Sequence, residues 1–168
     1  MNIRYYNTYE DDFVESKNQN YKLKDNYKWI KNNIFYKIVA FIVYIPFLIY
    51  GFIYTKLVLK VTFKNKKVLK KYKNYFLYAN HTLEMGDAFN PIVGLFPNKP
   101  YIIVSPSNLG IPVIGRLLPM LGALPIPDGI HQMKKFIECI NIRSKTNPII
   151  IYPEAHVWPY STFIRDFK

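Results

Sequence analysis

The stretch "PIIIYPEAH", Pro148 to His156, decides the fold class. Its first five residues form an uninterrupted apolar run, and turn residues and a carboxylate follow at once. A run this short and uniformly apolar is typical of a strand that is buried on both faces of a sheet. Three more runs have the same character and are bounded by turn residues: "YFLYA" (Tyr75 to Ala79), "YIIV" (Tyr101 to Val104) and "GALPI" (Gly122 to Ile126).

A helix is predicted between the last two strands. In "GIHQMKKFIECINIRSK", Gly129 to Lys145, apolar residues recur at helical spacing, and Asp128 is placed to cap the amino terminus. Alternation of strand and helix predicts an α/β domain over residues 74–168, with a mostly parallel sheet flanked by helices. The single cysteine, Cys139, falls on the apolar face of this helix, and we interpret it as a packed side chain and not as a nucleophile.

A charge-free apolar segment precedes this domain. It runs from Ile38 to Thr55, between Lys37 and Lys56. As a helix it would be about 27 Å long, close to the thickness of a bilayer core of about 30 Å. Pro46 removes a backbone hydrogen bond in mid-segment, so a spanning helix and a re-entrant pair of half-helices are both open. We assign residues 34–73 to a membrane-associated apolar segment with a lysine-rich exit.

The first 33 residues are polar and show no sustained period. We expect a surface tail or short interfacial helices there. Tyr27, Trp29 and Tyr36 are suited to an aromatic belt at a membrane surface.

The charge is strongly basic and unevenly distributed. The formal net charge is +12, and no acidic residue occurs between Asp25 and Glu84. An anionic partner is therefore expected, and the apolar segment inside the same window favours anionic membrane lipid over nucleic acid. Lysines that follow the apolar segment predict a domain on the cytoplasmic face of a membrane.

The residues with the most reactive side chains follow predicted strands. His81 comes directly after the first strand, and Glu154 follows the last one. Because carboxyl ends of parallel strands meet at one edge of a sheet, both side chains are expected in one cleft. An imidazole near neutral pH can take a proton from an alcohol, and a carboxylate fixes its tautomer. Asp87 is the expected partner and Glu84 the competing one; the alternative is a purely structural hydrogen bond between loop residues.

Four stretches from Asn74 to Glu154 resemble the glycerolipid acyltransferases typified by bacterial 1-acylglycerol-3-phosphate acyltransferase. They are the apolar strand that leads into "NH" with a downstream Asp, the segment "LGIPVIGRLLPMLGALPI" (Leu109 to Ile126), the helix, and "YPE" (Tyr152 to Glu154). Their order and separation are similar to those of the family, as is the preceding apolar segment with its lysine-rich exit.

The resemblance implies an enzyme of phospholipid biosynthesis. It would transfer a fatty acyl group from acyl-CoA or acyl carrier protein to a hydroxyl of a glycerol-based (lyso)phospholipid, with no metal or other cofactor. His81 would be the general base and Asp87 its partner, and Glu154 would help to hold the acceptor.

The sequence departs from the family pattern at several positions. Five residues separate His81 from Asp87, where the family usually has four, and Ala155 stands where it has glycine. Asp128 occupies a position where the family often has arginine, so Arg116, Lys134 or His131 is expected to bind an anionic acceptor instead. The chain also ends soon after Glu154, and we expect a fragment or truncated member.

Two other functions remain open from the sequence. One is a non-catalytic relative that binds membrane-surface lipid. The other is nucleic-acid binding by the Lys/Tyr-rich region, which lacks a recognisable base-stacking module. The sequence does not indicate an oligomeric state.

Overall fold

A computed structural model describes residues 5, 7, 8, 11, 18, 20–72 and 74–161. Four strands form one sheet: β1 (Phe76–Tyr78), β2 (Tyr101–Val104), β3 (Ala123–Pro125) and β4 (Ile149–Ile151). Four α-helices accompany them: α1 (Ile34–Ile53), α2 (Gly86–Gly94), α3 (Ile114–Leu121) and α4 (Ile130–Arg143). Short helical turns cover Tyr54–Val58, Lys66–Lys71 and Pro106–Gly110.

The sheet confirms the predicted α/β class and all four predicted strands. Its order is β1-β4-β2-β3, and every pairing is parallel. Ile149 and Ile150 point to opposite faces of the central strand β4, and both are fully buried. Both faces of the sheet are therefore covered at β4, which explains its uniformly apolar sequence, whereas the edge strand β1 exposes Phe76 and Tyr78.

The main core lies between α4 and the sheet. Phe136 and Cys139 of α4 pack with Leu124 and Ile149 of the strands. Cys139 is a free, fully buried thiol whose pKa is raised by burial. This confirms its interpretation as a packed side chain.

The segment before α1 differs from the expected surface tail. Within its described part, Leu23 and Trp29 are buried in the same core as α4. The indole N–H of Trp29 donates to the carbonyl of Pro125 at 2.9 Å, so this side chain belongs to the core and not to an interfacial belt. Asp128 does not cap α4 as predicted, because its carboxylate accepts the backbone N–H of Leu23 at 2.8 Å.

Helix α1 is long and apolar enough to cross a membrane. It begins at Ile34, earlier than expected, and continues through Pro46 without dividing into two half-helices. One face packs on α2 and α3, where Gly51 allows Phe89 to approach so closely that an added Cβ would lie 2.9 Å from its ring. The other face exposes a row of large apolar side chains: Ile34, Phe35, Ile38, Phe41, Ile42, Ile45, Ile49 and Ile53.

Candidate active site

His81 lies at the carboxyl edge of the sheet, three residues after β1 ends. The backbone ladder between β1 and β4 continues one step beyond the strands, through the N–H of Ala79 and the carbonyl of Ile151. The loops that follow these two neighbouring strands therefore leave the sheet side by side. This is the juxtaposition that the sequence predicted for His81 and Glu154.

The imidazole of His81 is paired with Asp87. The distance from Nδ1 to the Oδ2 atom of Asp87 is 2.7 Å, and the two side chains are 22% and 10% exposed. The same oxygen accepts the backbone N–H of Leu83 at 2.8 Å. A carboxylate that accepts both bonds orients the Nδ1–H of the ring and leaves Nε2 as the basic nitrogen. Glu84, the competing carboxylate, lies exposed in the intervening turn.

The turn between His81 and Asp87 accommodates the extra residue that distinguishes this sequence from the resembled family. It closes with the N–H of Asp87 donating to the carbonyl of Leu83 at 3.0 Å. A Cβ on Gly86 would lie 2.8 Å from the Cβ of Leu83, so glycine permits this close approach. Asp87 falls in the first turn of α2, where the partial positive charge of a helix amino terminus stabilises a carboxylate.

Glu154 holds the backbone of His81. Its Oε2 atom accepts the N–H of His81 at 3.0 Å, and the residue is only 3% exposed. On the other side of the same residue, the N–H of Trp158 donates to the carbonyl of His81 at 2.7 Å. The segment after β4 therefore fixes the main chain of His81 on both sides. This contact favours a positioning role for Glu154 over the acceptor-binding role that the resemblance implies.

Tyr152 contacts both members of the His81–Asp87 pair. Its ring stacks on the imidazole, with centroids 4.7 Å apart, and its hydroxyl donates to the backbone carbonyl of Asp87 at 2.6 Å. That carbonyl lies four residues before Pro91, which has no N–H to offer it within α2. The hydroxyl of Tyr152 therefore replaces the missing helical hydrogen bond. Burial, with a smaller effect of Asp87, raises the pKa of Tyr152, so the hydroxyl remains a donor.

Arg116 is not brought into contact with the His81–Asp87 pair. It lies exposed in the first turn of α3. Because α3 connects the carboxyl end of β2 to the start of the parallel strand β3, its amino terminus lies toward the same edge of the sheet as His81. His131 and Lys134, the other cations considered for an anionic acceptor, are exposed on α4.

Sequence reasoning missed the contributions of Tyr152 and Trp158. Tyr152 lies in the "YPE" motif, and its hydroxyl distinguishes it from the phenylalanine of the resembled family, which was the available signal. Within the described residues, no group of three or more His, Cys, Asp or Glu side chains is arranged to hold a metal ion.

Comparisons with protein-family models, with curated proteins and with solved structures found no match to this chain. The geometry of the His81 site and the chemistry of its residues therefore carry the functional conclusion.

Proposed function

We propose that the protein is a membrane-associated acyltransferase. It moves a fatty acyl group from a thioester of coenzyme A or acyl carrier protein to a hydroxyl of a glycerol-based lipid. The observation that carries this proposal is the 2.7 Å contact between Nδ1 of His81 and Asp87, with the imidazole partly exposed at the carboxyl edge of a parallel sheet. The sequence motifs around His81 and Glu154 support it through their resemblance to glycerolipid acyltransferases.

The proposed reaction needs one proton acceptor and no covalent enzyme intermediate. The lipid hydroxyl attacks the thioester carbonyl while Nε2 of His81 takes its proton. The tetrahedral intermediate then collapses, the carbon–sulfur bond breaks, and the imidazolium returns the proton to the leaving thiolate. Asp87 stabilises the imidazolium between these two steps and holds the ring in one orientation.

The surroundings of His81 favour a rigid base. Glu154 and Trp158 hold its backbone, and Tyr152 covers one face of its ring. Pre-organisation of this kind lowers the cost of orienting a general base for proton transfer. Arg116, at the same edge of the sheet, is the cation that we assign to the anionic group of the acceptor.

Membrane association would supply the lipid substrate. The exposed apolar face of α1 is suited to contact acyl chains. Positive charge follows α1 at Lys56 and in the turn Lys66–Lys71. This charge favours contact with anionic lipid on the cytoplasmic face.

The test is the transfer of a radiolabelled acyl group, from its thioester with coenzyme A or with acyl carrier protein, to a series of lysolipids in detergent micelles. His81→Ala should lower the rate by about 10²-fold to 10⁴-fold, the usual contribution of a general base. Lys145→Ala is the control, because it removes an exposed side chain after the carboxyl end of α4, at the opposite edge of the sheet from His81. Circular dichroism checks that both variants fold. Equal rates for the two variants would exclude His81 as the base.

A non-catalytic lipid-binding protein is the second candidate, and the exposed face of α1 favours it independently of His81. Vesicle flotation distinguishes the two functions when combined with the transfer assay. Binding to anionic vesicles that is lost in an Ile42→Glu, Ile45→Glu double variant, with no transfer by the wild-type protein to any lysolipid, would support this alternative.

A further inference from the structure

A second candidate site lies at the opposite edge of the sheet from His81. It is a cavity of about 290 Å³ next to Tyr101 and Ala123, the first residues of β2 and β3. The first half of α1 and the last turn of α4 form its walls. The four residues of β2 span about 13 Å, so this cavity is separated from the candidate active site by the length of the strands.

The cavity is lined by four cations and no carboxylate among its described lining residues. The cations are Lys31, Lys37, Lys99 and Arg143. Three of them lie over aromatic rings that also line the cavity: Lys31 over Tyr36 at 4.7 Å, Lys99 over Tyr44 at 4.6 Å and Arg143 over Tyr101 at 4.9 Å. Aromatic faces hold a cation in position without neutralising it, so the positive charge remains available to a ligand.

Two of these cations have donors that the described residues do not fully use. The Nε–H of Arg143 is buried and has no acceptor among the residues that the structure describes. Lys99 donates from Nζ to the carbonyl of Met120 at 2.6 Å, which uses one of the three donors of an ammonium group. A buried guanidinium N–H is normally paired, so this group adds uncompensated positive polarity beside the cavity.

The positive charges around the cavity repel one another. Burial, with a smaller contribution from the neighbouring Arg143, lowers the pKa of Lys99 to about 8. The groups that face Lys99 are the guanidinium of Arg143, the ring of Tyr44 and the backbone at Met120, and none of them carries a negative charge at neutral pH. An anion in the cavity would relieve this repulsion.

We propose that this cavity binds a phosphate group, either on a lipid headgroup or as free phosphate. The cluster of four cations matches an anion with two negative charges, and a guanidinium donates to phosphate oxygens with favourable geometry. Ala40 and Phe41 of α1 line the cavity, and Phe41 also belongs to the exposed apolar row. A lipid bound to that row would bring its headgroup to the entrance. This site is independent of the acyl transfer proposed above.

Binding is tested on the full chain in a non-ionic detergent by isothermal titration calorimetry. The probes are inorganic phosphate, dihexanoyl phosphatidic acid and, as the phosphate-free control, dihexanoylglycerol. Arg143→Gln and Lys99→Met should each weaken binding of the phosphate-bearing probe by about 10-fold to 100-fold, the effect of losing one charge-assisted hydrogen bond. Lys145→Gln is the matched control, because it removes one exposed charge two residues beyond Arg143.

Each outcome decides between the alternatives. Tighter binding of phosphatidic acid than of inorganic phosphate, with loss in the cavity variants, identifies the lipid headgroup. Equal binding of the two, with the same loss, identifies free phosphate. Absence of binding, equal binding of dihexanoylglycerol, which has no phosphate, or an equal effect of Lys145→Gln would overturn the proposal. Thermal melting verifies that the variants fold. If Arg143→Gln does not fold, the binding measurements with Lys99→Met alone decide the test.

Discussion

The hydrogen bond between Tyr152 and Asp87 gives a quantitative prediction about how the candidate site is built. Tyr152→Phe keeps the ring that stacks on His81 and removes only the hydroxyl. The carbonyl of Asp87 then loses the hydrogen bond that it accepts from Tyr152. Pro91 has no N–H to replace this donor within α2. Asp87 is buried, so this unpaired carbonyl should lower the free energy of unfolding by about 1–3 kcal/mol.

A second substitution should cancel most of this loss. Pro91→Ala restores a backbone N–H four residues after Asp87, which can form the regular helical hydrogen bond. In that background the hydroxyl of Tyr152 has become redundant, and Tyr152→Phe should cost less than about 1 kcal/mol. The double-mutant cycle should therefore yield a coupling energy of about 1–2 kcal/mol.

The four proteins of this cycle are compared by urea unfolding in mild detergent, followed by circular dichroism. The free energies can be compared if the midpoints of unfolding differ among the four proteins while the dependence of the free energy on urea concentration stays the same. If the two substitutions prove additive to within about 0.5 kcal/mol, the hydroxyl of Tyr152 does not replace the helical bond, and this account of the site is wrong.

Three further predictions concern the fold. Trp29→Ala should lower the free energy of unfolding by about 3–5 kcal/mol because Trp29 is a core side chain, whereas a surface tail would tolerate it; urea unfolding measures the difference. Gly122→Ala should be destabilising by at least about 1 kcal/mol, read as a lower melting temperature, because Gly122 has a φ of 109° and its Cβ would lie 2.6 Å from the carbonyl oxygen of Pro100. The third concerns Lys99, whose pKa is lowered from 10.5 to about 8 in the folded protein. At pH values between these two, the unfolded chain binds more protons than the folded protein. Stability should therefore rise by about 1–2 kcal/mol as the pH increases from about 8 to 9.5, and Lys99→Met should abolish that rise in unfolding titrations across this range.

The sheet was predictable because its strands carry a strong local signal. Runs such as Tyr101 to Val104 are uniformly apolar, bounded by turn residues and too short for a helix, a combination that is typical of a strand within a sheet. The order of the strands was not predicted, since parallel pairing of β1 with β4 joins segments that are distant in the sequence. The pairing of His81 with Asp87 was predictable because each residue lies at a defined distance from the end of one strand.

The buried segment before α1 was not predictable by the same reasoning. Leu23 and Trp29 belong to a stretch without helix or strand, so no periodicity marks them as core residues. Their partners, Asp128 and Pro125, lie 105 and 96 residues away along the chain. A local pattern therefore assigned Asp128 to the adjacent helix, whereas the folded chain uses it to hold a distant backbone N–H. The hydroxyl of Tyr152 escaped notice for the same reason, because its role depends on a proline in another element.

The position of α1 in the chain constrains how the protein can meet a bilayer. Trp29 before the helix and Pro125 far behind it are joined by a hydrogen bond within one core. Helix α1 is continuous through Pro46 for 20 residues. Perpendicular insertion would carry its two flanks to opposite leaflets and pull that core apart. Lengthwise contact between the isoleucine-rich side and a lipid surface would instead keep both flanks on one side of that surface and leave the core intact.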